Sequence, residues 1–487
     1  MALVTEEQVV KVLQQYNPWW RNRDAVKEQS KPQKRLAYHE AMKTISQQST
    51  RRFAVLSGAR RVGKTTIMYQ MMETLLAQGV APRNILYVSF DNPIVKLIGV
   101  AEVLDIYESL YPIEGDRYLF FDEIQYAANW ELWMKVLYDS RKNIRLIATG
   151  STSPIIEKGV AESGAGRWTM LKVPTLSFYE YCELLQLSER PVLENEIRLT
   201  KLVAWPRGAL ADLINRFAPL QQHFNRYLIV GGFPELVFSD DDAYALRMLR
   251  EDVVDKVIKR DVLTLFKVRN PLLLEKLFLY LCLNATEIFN AQTATKELEN
   301  ISVATLENYL GFLEKSHLIY RAEPIDVGSK GALKGRPKIY IADAAIRNAV
   351  LMMDDVLADE KEMGVMVETA VYKHLVSFYH GSPAHIGYFR KLKENQKEVD
   401  MVIELPGEKI LCEVKYRNDF AIAATEAIVV LSADRKSEVT GAFLVTKKIT
   451  DYGLIKQETL APILRIPALP FLYLLGKAEA EGNKAKM

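Results

Sequence analysis

Gly58-Ala59-Arg60-Arg61-Val62-Gly63-Lys64-Thr65 is the stretch that decides the fold of the chain around it. It fits the spacing G-x-x-x-x-G-K-[ST] at every fixed position. The preceding FAVLS (53–57) is rich in β-formers, and the following TTIMYQMMETLL (65–76) has helical periodicity. Strand, loop and helix in that order distinguish a phosphate-binding loop from a chance match in a glycine-rich turn. The glycines let backbone N–H groups wrap an anion, and the helix N-terminus adds positive potential. The expectation is that residues from Gly58 to Thr66 bind the phosphates of ATP. Lys64 reaches the β- and γ-phosphates, and the Thr65 hydroxyl ligates Mg2+. Arg60 and Arg61 face either phosphate or solvent. No N-K-x-D motif follows, so ATP is expected rather than GTP.

Working outward, short β-rich runs (ILYVSF, YLFFDE, IRLIATG, TMLKV) alternate with helical stretches up to residue 174. This predicts βαβ units and a parallel sheet. Arg117-Tyr118-Leu119-Phe120-Phe121-Asp122-Glu123 is an apolar strand ending in two acids. A buried parallel strand reads apolar throughout, so acids at its C-terminal end point to the ligand crevice. Asp122 is the expected Mg2+ holder, and Glu123 the general base that polarises the attacking water. Polar residues after IRLIATG, Thr149 or Ser151, are placed to orient that water. Ser151 reads equally well as a helix cap before Pro154. Gly166-Arg167 follows a small-residue loop. Arg167 is a candidate to stabilise γ-phosphate charge, in cis or across a subunit boundary, or else a plain surface arginine.

The remainder suggests further units. The chain has 487 residues, 49% apolar and 25% charged, with a net charge of +2. That excludes a disordered or collagenous protein and confines any nucleic-acid surface to local patches. Cys182, Cys282 and Cys412 are far apart, which argues against a disulfide scaffold. The histidines share no ligand spacing. The start lacks the order of a signal peptide, and no apolar run is long enough to span a bilayer. A reduced, cytoplasmic protein without membrane contact is expected.

Residues 271–345 read as a winged-helix-like module. Thr293–Leu298 and the helix from Ser302 form a helix-turn-helix, with Val303, Leu306, Tyr309, Leu310 and Leu313 on its inner face. A basic loop with Lys330, Lys334, Arg336 and Lys338 is a candidate wing touching DNA phosphate. Glu307 and Glu314 on the second helix oppose that reading. Beyond it, Glu398-Val399-Asp400 and Glu413-Val414-Lys415 flank a PGEK turn. A hairpin there brings Asp400 near Glu413, with Lys415 on the same face. Asp followed by Glu-x-Lys is the pattern of the restriction-endonuclease-like PD-(D/E)XK fold. There two acids hold Mg2+ and the lysine polarises the nucleophilic water. Glu368 on the preceding helix is similar to that fold's helix acid and joins the metal set. An inactive domain that docks a partner or holds DNA is the rival reading.

The ordered set NPWW, GARRVGKTT, FFDEIQ, TGSTS, GRWTMLKVPTLSFYEY, YLIVGGFPE, KEVDMVIE and EVKY resembles the prokaryotic AAA-type P-loop ATPases with a C-terminal domain of unknown function. The resemblance implies ATP binding and hydrolysis. One departure is Pro174-Thr175-Leu176-Ser177-Phe178, a residue longer than the usual Pro-Leu-Ser-Phe. The predicted architecture is α/β. It comprises an N-terminal helical segment (1–50), a P-loop AAA-type core (51–175) and a helical extension (176–270). A winged-helix-like module (271–345), a nuclease-like α/β domain (346–478) and a flexible tail (479–487) follow. The expected function is Mg-dependent ATP hydrolysis acting on DNA. An ATP-controlled binding switch, whose inactive nuclease-like domain docks a partner or DNA, is the alternative, and a protein partner or a homo-oligomer is the further partner expectation.

Overall fold

Parallel pairing organises the first part of the chain. The computed structural model describes residues 4–482, apart from 48, 112–113, 151–165, 194–196, 267, 269, 300, 328–334, 354 and 391–397. Five strands, β1 (Phe53–Ser57), β2 (Ile85–Ser89), β3 (Arg117–Asp122), β4 (Ile144–Gly150) and β5 (Trp168–Lys172), form one sheet. Its order is β2-β3-β4-β1-β5, and every neighbouring pair is parallel. Strand β1 is buried along its whole length, which explains its unbroken apolar reading. The helices Lys64–Ala77, Pro93–Leu110 and Trp130–Ser140 make the crossovers. Residues 1–174, with Lys315–His317, form one compact unit.

Strand β2 is an edge strand, so one side of its backbone has no ladder partner. The N-terminal segment covers it. Asn17 Nδ2 donates to the Tyr87 carbonyl at 2.9 Å, and the Tyr87 N–H donates to Asn17 Oδ1 at 2.6 Å. One side-chain amide thus replaces a neighbouring strand. The indoles of Trp19 and Trp20 both donate to the Ile85 carbonyl, at 3.2 and 2.9 Å, and both are buried. Trp20 also stacks on Tyr107. The segment 1–50 is therefore packed into the sheet unit rather than standing apart from it.

Residues 175–314 and 318–487 form the second unit. Ser177 opens the helix Phe178–Leu184 with a capping box to Glu180. Thr175, the extra residue of the sequence departure, donates its hydroxyl to Asp343 at 2.7 Å. The glycine pair 231–232 lets two segments meet at backbone distance. A Cβ on Gly231 would lie 2.2 Å from Asp343 Oδ1, and one on Gly232 would lie 2.4 Å from the Leu176 carbonyl oxygen.

Helices Pro271–Leu283, Ala291–Glu297 and Val303–Lys315 precede an antiparallel pair, β6 (Ile319–Ala322) and β7 (Lys338–Ile341). Leu306, Tyr309, Leu310 and Leu313 are buried as the spacing predicts. Val303 is not. It is 48% exposed, because it begins the helix beyond the packed stripe. Glu307 and Glu314 both pair with Arg321, at 2.9 and 3.3 Å. Lys330 and Lys334 lie outside the described residues.

A mixed sheet closes the chain. It contains β8 (His385–Arg390), β9 (Glu398–Leu405), β10 (Glu408–Lys415), β11 (Val439–Thr446), β12 (Gly453–Leu454) and β13 (Ile463–Pro467), in the order β12-β13-β11-β10-β9-β8. The β9–β10 pair is antiparallel around the Pro406-Gly407 turn, whereas β10 and β11 are parallel. The parallel step requires a crossover, and Ala427–Ala433 is its helix. Val399, Val402, Leu411, Ile428 and Leu444 share one core. Among the described residues, no helix is long and apolar enough to cross a membrane.

Candidate nucleotide site and acid cluster

The phosphate loop leaves β1 at Gly58. A Cβ there would lie 2.1 Å from the Val173 carbonyl oxygen, so the loop can turn at this point only with glycine. Gly63 has φ 93° and opens the helix Lys64–Ala77. Val62 is buried, and its carbonyl accepts from Arg35 at 3.0 Å. Arg60 donates to the Tyr126 hydroxyl at 3.4 Å, while Arg61 is exposed. The Lys64 ammonium donates to the carbonyls of Gly58 and Ala59 at 2.9 and 2.8 Å. It therefore lies against the loop that it is expected to serve. Thr66 is half-buried in the first helical turn.

Strand β4 separates the loop strand from the acid strand. Asp122 is buried at the end of β3 and receives three hydroxyls. Thr65 donates to Oδ2 at 2.9 Å, Tyr87 to Oδ2 at 2.8 Å, and Thr149 to Oδ1. Thr149 in turn accepts the Glu123 N–H at 2.9 Å. Glu123 sits at φ 50°, an uncommon angle for a residue with a side chain, directly after the strand. Burial raises its carboxyl above the usual range. Lys64 partly offsets the rise, and the Asp122 charge adds to it. Gln125 donates to its Oε2. The Thr65 and Asp122 oxygens are the ones that Mg2+ would take, and the glycine-lined loop fits a phosphate chain.

Two of the expected residues fare differently. Ser151 lies outside the described residues. Arg167 stands just before β5, and its carbonyl accepts the N–H of Phe53 at 3.0 Å. Because β5 runs parallel to β1, this is the end of the sheet opposite the loop, roughly 15 Å away along a five-residue strand. Its guanidinium pairs with Asp139 at 3.0 Å. Arg167 therefore does not stand beside the phosphate loop of its own sheet.

One residue of this unit was not anticipated. His317 Nε2 lies 3.2 Å from the Ser57 hydroxyl, just before the loop. Burial, followed by the charges of Lys172 and Lys64, lowers its pKa to about 3, so it is neutral at pH 7. It comes from far downstream, and no local pattern marks it.

In the second unit, the Cys412–Met401 register places Asp400 and Glu413 at the next paired position of the hairpin. Asp400 Oδ2 accepts the Val414 N–H at 2.9 Å. Glu413 Oε1 pairs with Lys415 at 2.8 Å. Glu368, on the helix Glu360–Phe378, accepts the Tyr340 hydroxyl at 2.9 Å. The expected acids and lysine therefore do converge. Burial, then the Asp400 charge, pushes Glu368 up to about 7 and Glu413 to about 8. Lys338 joins them. Read from sequence as a wing residue facing phosphate, it is instead 3% exposed and within 3.3 Å of Glu368, Glu398 and Asp400. All four residues of β7, which begins at Lys338, are buried, so the lysine belongs to the packed strand rather than to a solvated loop. Among the described residues, no group of three or more His, Cys, Asp or Glu side chains already stands in metal-holding geometry.

Comparison with known proteins finds three matching stretches. A family model described as an AAA domain matches residues 50–182. Two models described as domains of unknown function match residues 221–357 and 363–466. An uncharacterised protein of Haemophilus influenzae is 26% identical over 60% of this chain and 68% of its own length. An uncharacterised protein of Methanocaldococcus jannaschii is 26% identical over 79% of this chain and 80% of its own. Among solved structures, the chain is similar to the Walker-type ATPase PABY2304 of Pyrococcus abyssi. That match has 15% identity, covers 64% of this chain and 95% of that one, and has a TM-score of 0.37. The Aeropyrum pernix ORC1 protein in complex with DNA follows, with 13% identity, coverage of 69% and 96%, and a TM-score of 0.29. Residues 50–182 are thus an AAA-type P-loop ATPase domain, to which nucleotide binding belongs, and two further domains without an assigned function follow it.

Proposed function

We propose that the chain is a Mg-dependent ATP hydrolase. The observation that carries this reading is the Asp122 carboxylate, bridged to Thr65 on the loop and to Thr149 beside Glu123. One network links the expected metal ligands to the backbone of the expected base. When bound, Mg2+ would neutralise charge developing between the β- and γ-phosphate oxygens. Lys64 would leave the Gly58 and Ala59 carbonyls for the phosphates. Glu123 would take a proton from the attacking water, held at its station by the Thr149 hydroxyl. Wild-type protein is expected to release phosphate from Mg-ATP, and Lys64→Ala to lose ATP binding by filter assay. Turnover that survives Lys64→Ala would remove the site from this reading.

The C-terminal unit is proposed to act on DNA. Support comes from the nuclease-like order of helix, hairpin and crossover, and from the convergence of Glu368, Asp400, Glu413 and Lys415. Three helices followed by an antiparallel pair support a winged-helix module beside it. Pairing of Glu307 and Glu314 with Arg321 reduces their repulsion of a DNA backbone. Supercoiled plasmid with Mn2+ is expected to be nicked by wild type and spared by Asp400→Ala and Lys415→Ala. Intact plasmid in every case would leave the second reading, an ATP-controlled switch whose C-terminal domain only docks DNA or a partner. The burial of Lys338 among the acids favours that second reading.

A further inference from the structure

Lys338 stands at the focus of the acid cluster. Its Nζ lies 2.8 Å from Glu368 Oε1, 3.0 Å from Glu398 Oε1 and 3.3 Å from Asp400 Oδ1. Carboxylate oxygens from a helix and from alternate positions of β9 therefore surround one small cation. Hard divalent ions favour such an all-oxygen set, but here an ammonium fills it. A second, independent observation concerns Glu413. It is 7% exposed, and its Oε2 has no hydrogen-bond partner, while Oε1 holds Lys415. An unmatched carboxylate oxygen in a buried place is a site with an acceptor to spare. The four carboxylates of Glu368, Glu398, Asp400 and Glu413 face the two ammonium groups of Lys338 and Lys415. Glu426 also pairs with Lys415, at 3.5 Å, so the acids of the cluster outnumber its two ammonium groups.

We propose that Lys338 is the built-in occupant of a latent divalent-cation site, and that Mg2+ or Mn2+ reaches Glu368, Asp400 and Glu413 only in competition with its ammonium. This rests on the reading of these acids as a cation site. The competition sets a threshold, because metal enters only when its free concentration outweighs a tethered rival. A lysine on β7 thereby controls a site whose recognisable motif lies on β9 and β10.

The test is Mn2+ binding to the nucleotide-free full chain, followed by electron paramagnetic resonance, with Lys64→Ala throughout to silence the phosphate loop. Lys338→Met is expected to bind Mn2+ at least about tenfold more tightly than its parent. Adding Asp400→Asn should erase that gain, and Lys338→Arg should keep the parent's weak binding. Removing a buried charge can unfold the domain, so Lys338→Met with Glu398→Gln serves as a second variant closer to charge balance. Its melting temperature should rise with Mn2+ more than the parent's does. Equal Mn2+ affinity in parent and variants would overturn the competition while leaving the acids a metal site. Absence of binding in all of them at millimolar Mn2+ would overturn both.

Discussion

Glu123→Gln is expected to lower ATP turnover about 100- to 10,000-fold while leaving nucleotide affinity nearly unchanged. The amide keeps the size of the side chain and its place after β3, and the backbone N–H to Thr149 is unaffected. What disappears is the ability to accept a proton. Lys64→Ala should act differently, by loss of binding, because that ammonium serves phosphate rather than water. The pH profile supplies an independent check. Burial raises the Glu123 carboxyl above the usual range. A base must be deprotonated to act, so turnover should fall with decreasing pH at a pH higher than an ordinary glutamate would give. The acidic limb should be missing from the residual activity of Glu123→Gln. Equal losses of affinity and turnover would mean that Glu123 holds the site together rather than acting as its base.

Lys373→Met is expected to cost about 3–5 kcal/mol of stability in the second unit, read as a fall in its urea midpoint. Lys373 and Asp343 are each 3% exposed and pair at 3.0 Å. The lysine also donates to the Leu176 carbonyl and the Tyr227 hydroxyl, both at 2.8 Å. Methionine fills the volume but leaves the Asp343 charge buried without its cation. That loss is large against the roughly 5–15 kcal/mol that hold a typical domain folded. The double variant Asp343→Asn, Lys373→Met should lose less than Lys373→Met alone, because the unmatched charge is gone. Burial by itself would raise the Asp343 carboxyl, but Lys373, Thr175 and the Ala345 N–H outweigh it and hold it below its ordinary value. A depressed carboxyl gives stability that is present above its unfolded pKa and is lost as pH falls through the folded one. The unit should therefore weaken below about pH 4, and Asp343→Asn should flatten that dependence.

The legibility of these features follows their distance along the chain. The phosphate loop is legible because its strand, glycines, lysine and helix are consecutive. Asp122 and Glu123 stand out as acids at the end of an apolar run. Asp400, Glu413 and Lys415 are legible because a hairpin needs only a turn signal and period-two alternation. Lys338 is not, since a basic loop before a short strand reads as solvated, and its acid partners lie 30 to 62 residues further on. The position of Arg167 is not legible for a related reason. Composition marks a mobile arginine, but only the parallel register with β1 tells which end of the sheet it occupies. Asn17 and His317 act through single long-range contacts that carry no sequence period. The glycine pair 231–232 is visible as a chain breaker, but its purpose depends on where Asp343 and Leu176 pass.

The Asn17 amide that completes β2 has a consequence for how copies of this protein meet. An uncovered edge strand invites the edge of a second molecule, and that route leads to uncontrolled stacking. With Asn17, Trp19 and Trp20 in place, the Ile85 carbonyl and both backbone groups of Tyr87 are already taken, so this edge is guarded against pairing with a second molecule. The same clasp fixes Tyr87, whose hydroxyl holds Asp122. Cover of this strand edge and the placing of the Tyr87 hydroxyl on Asp122 thus both depend on one short segment.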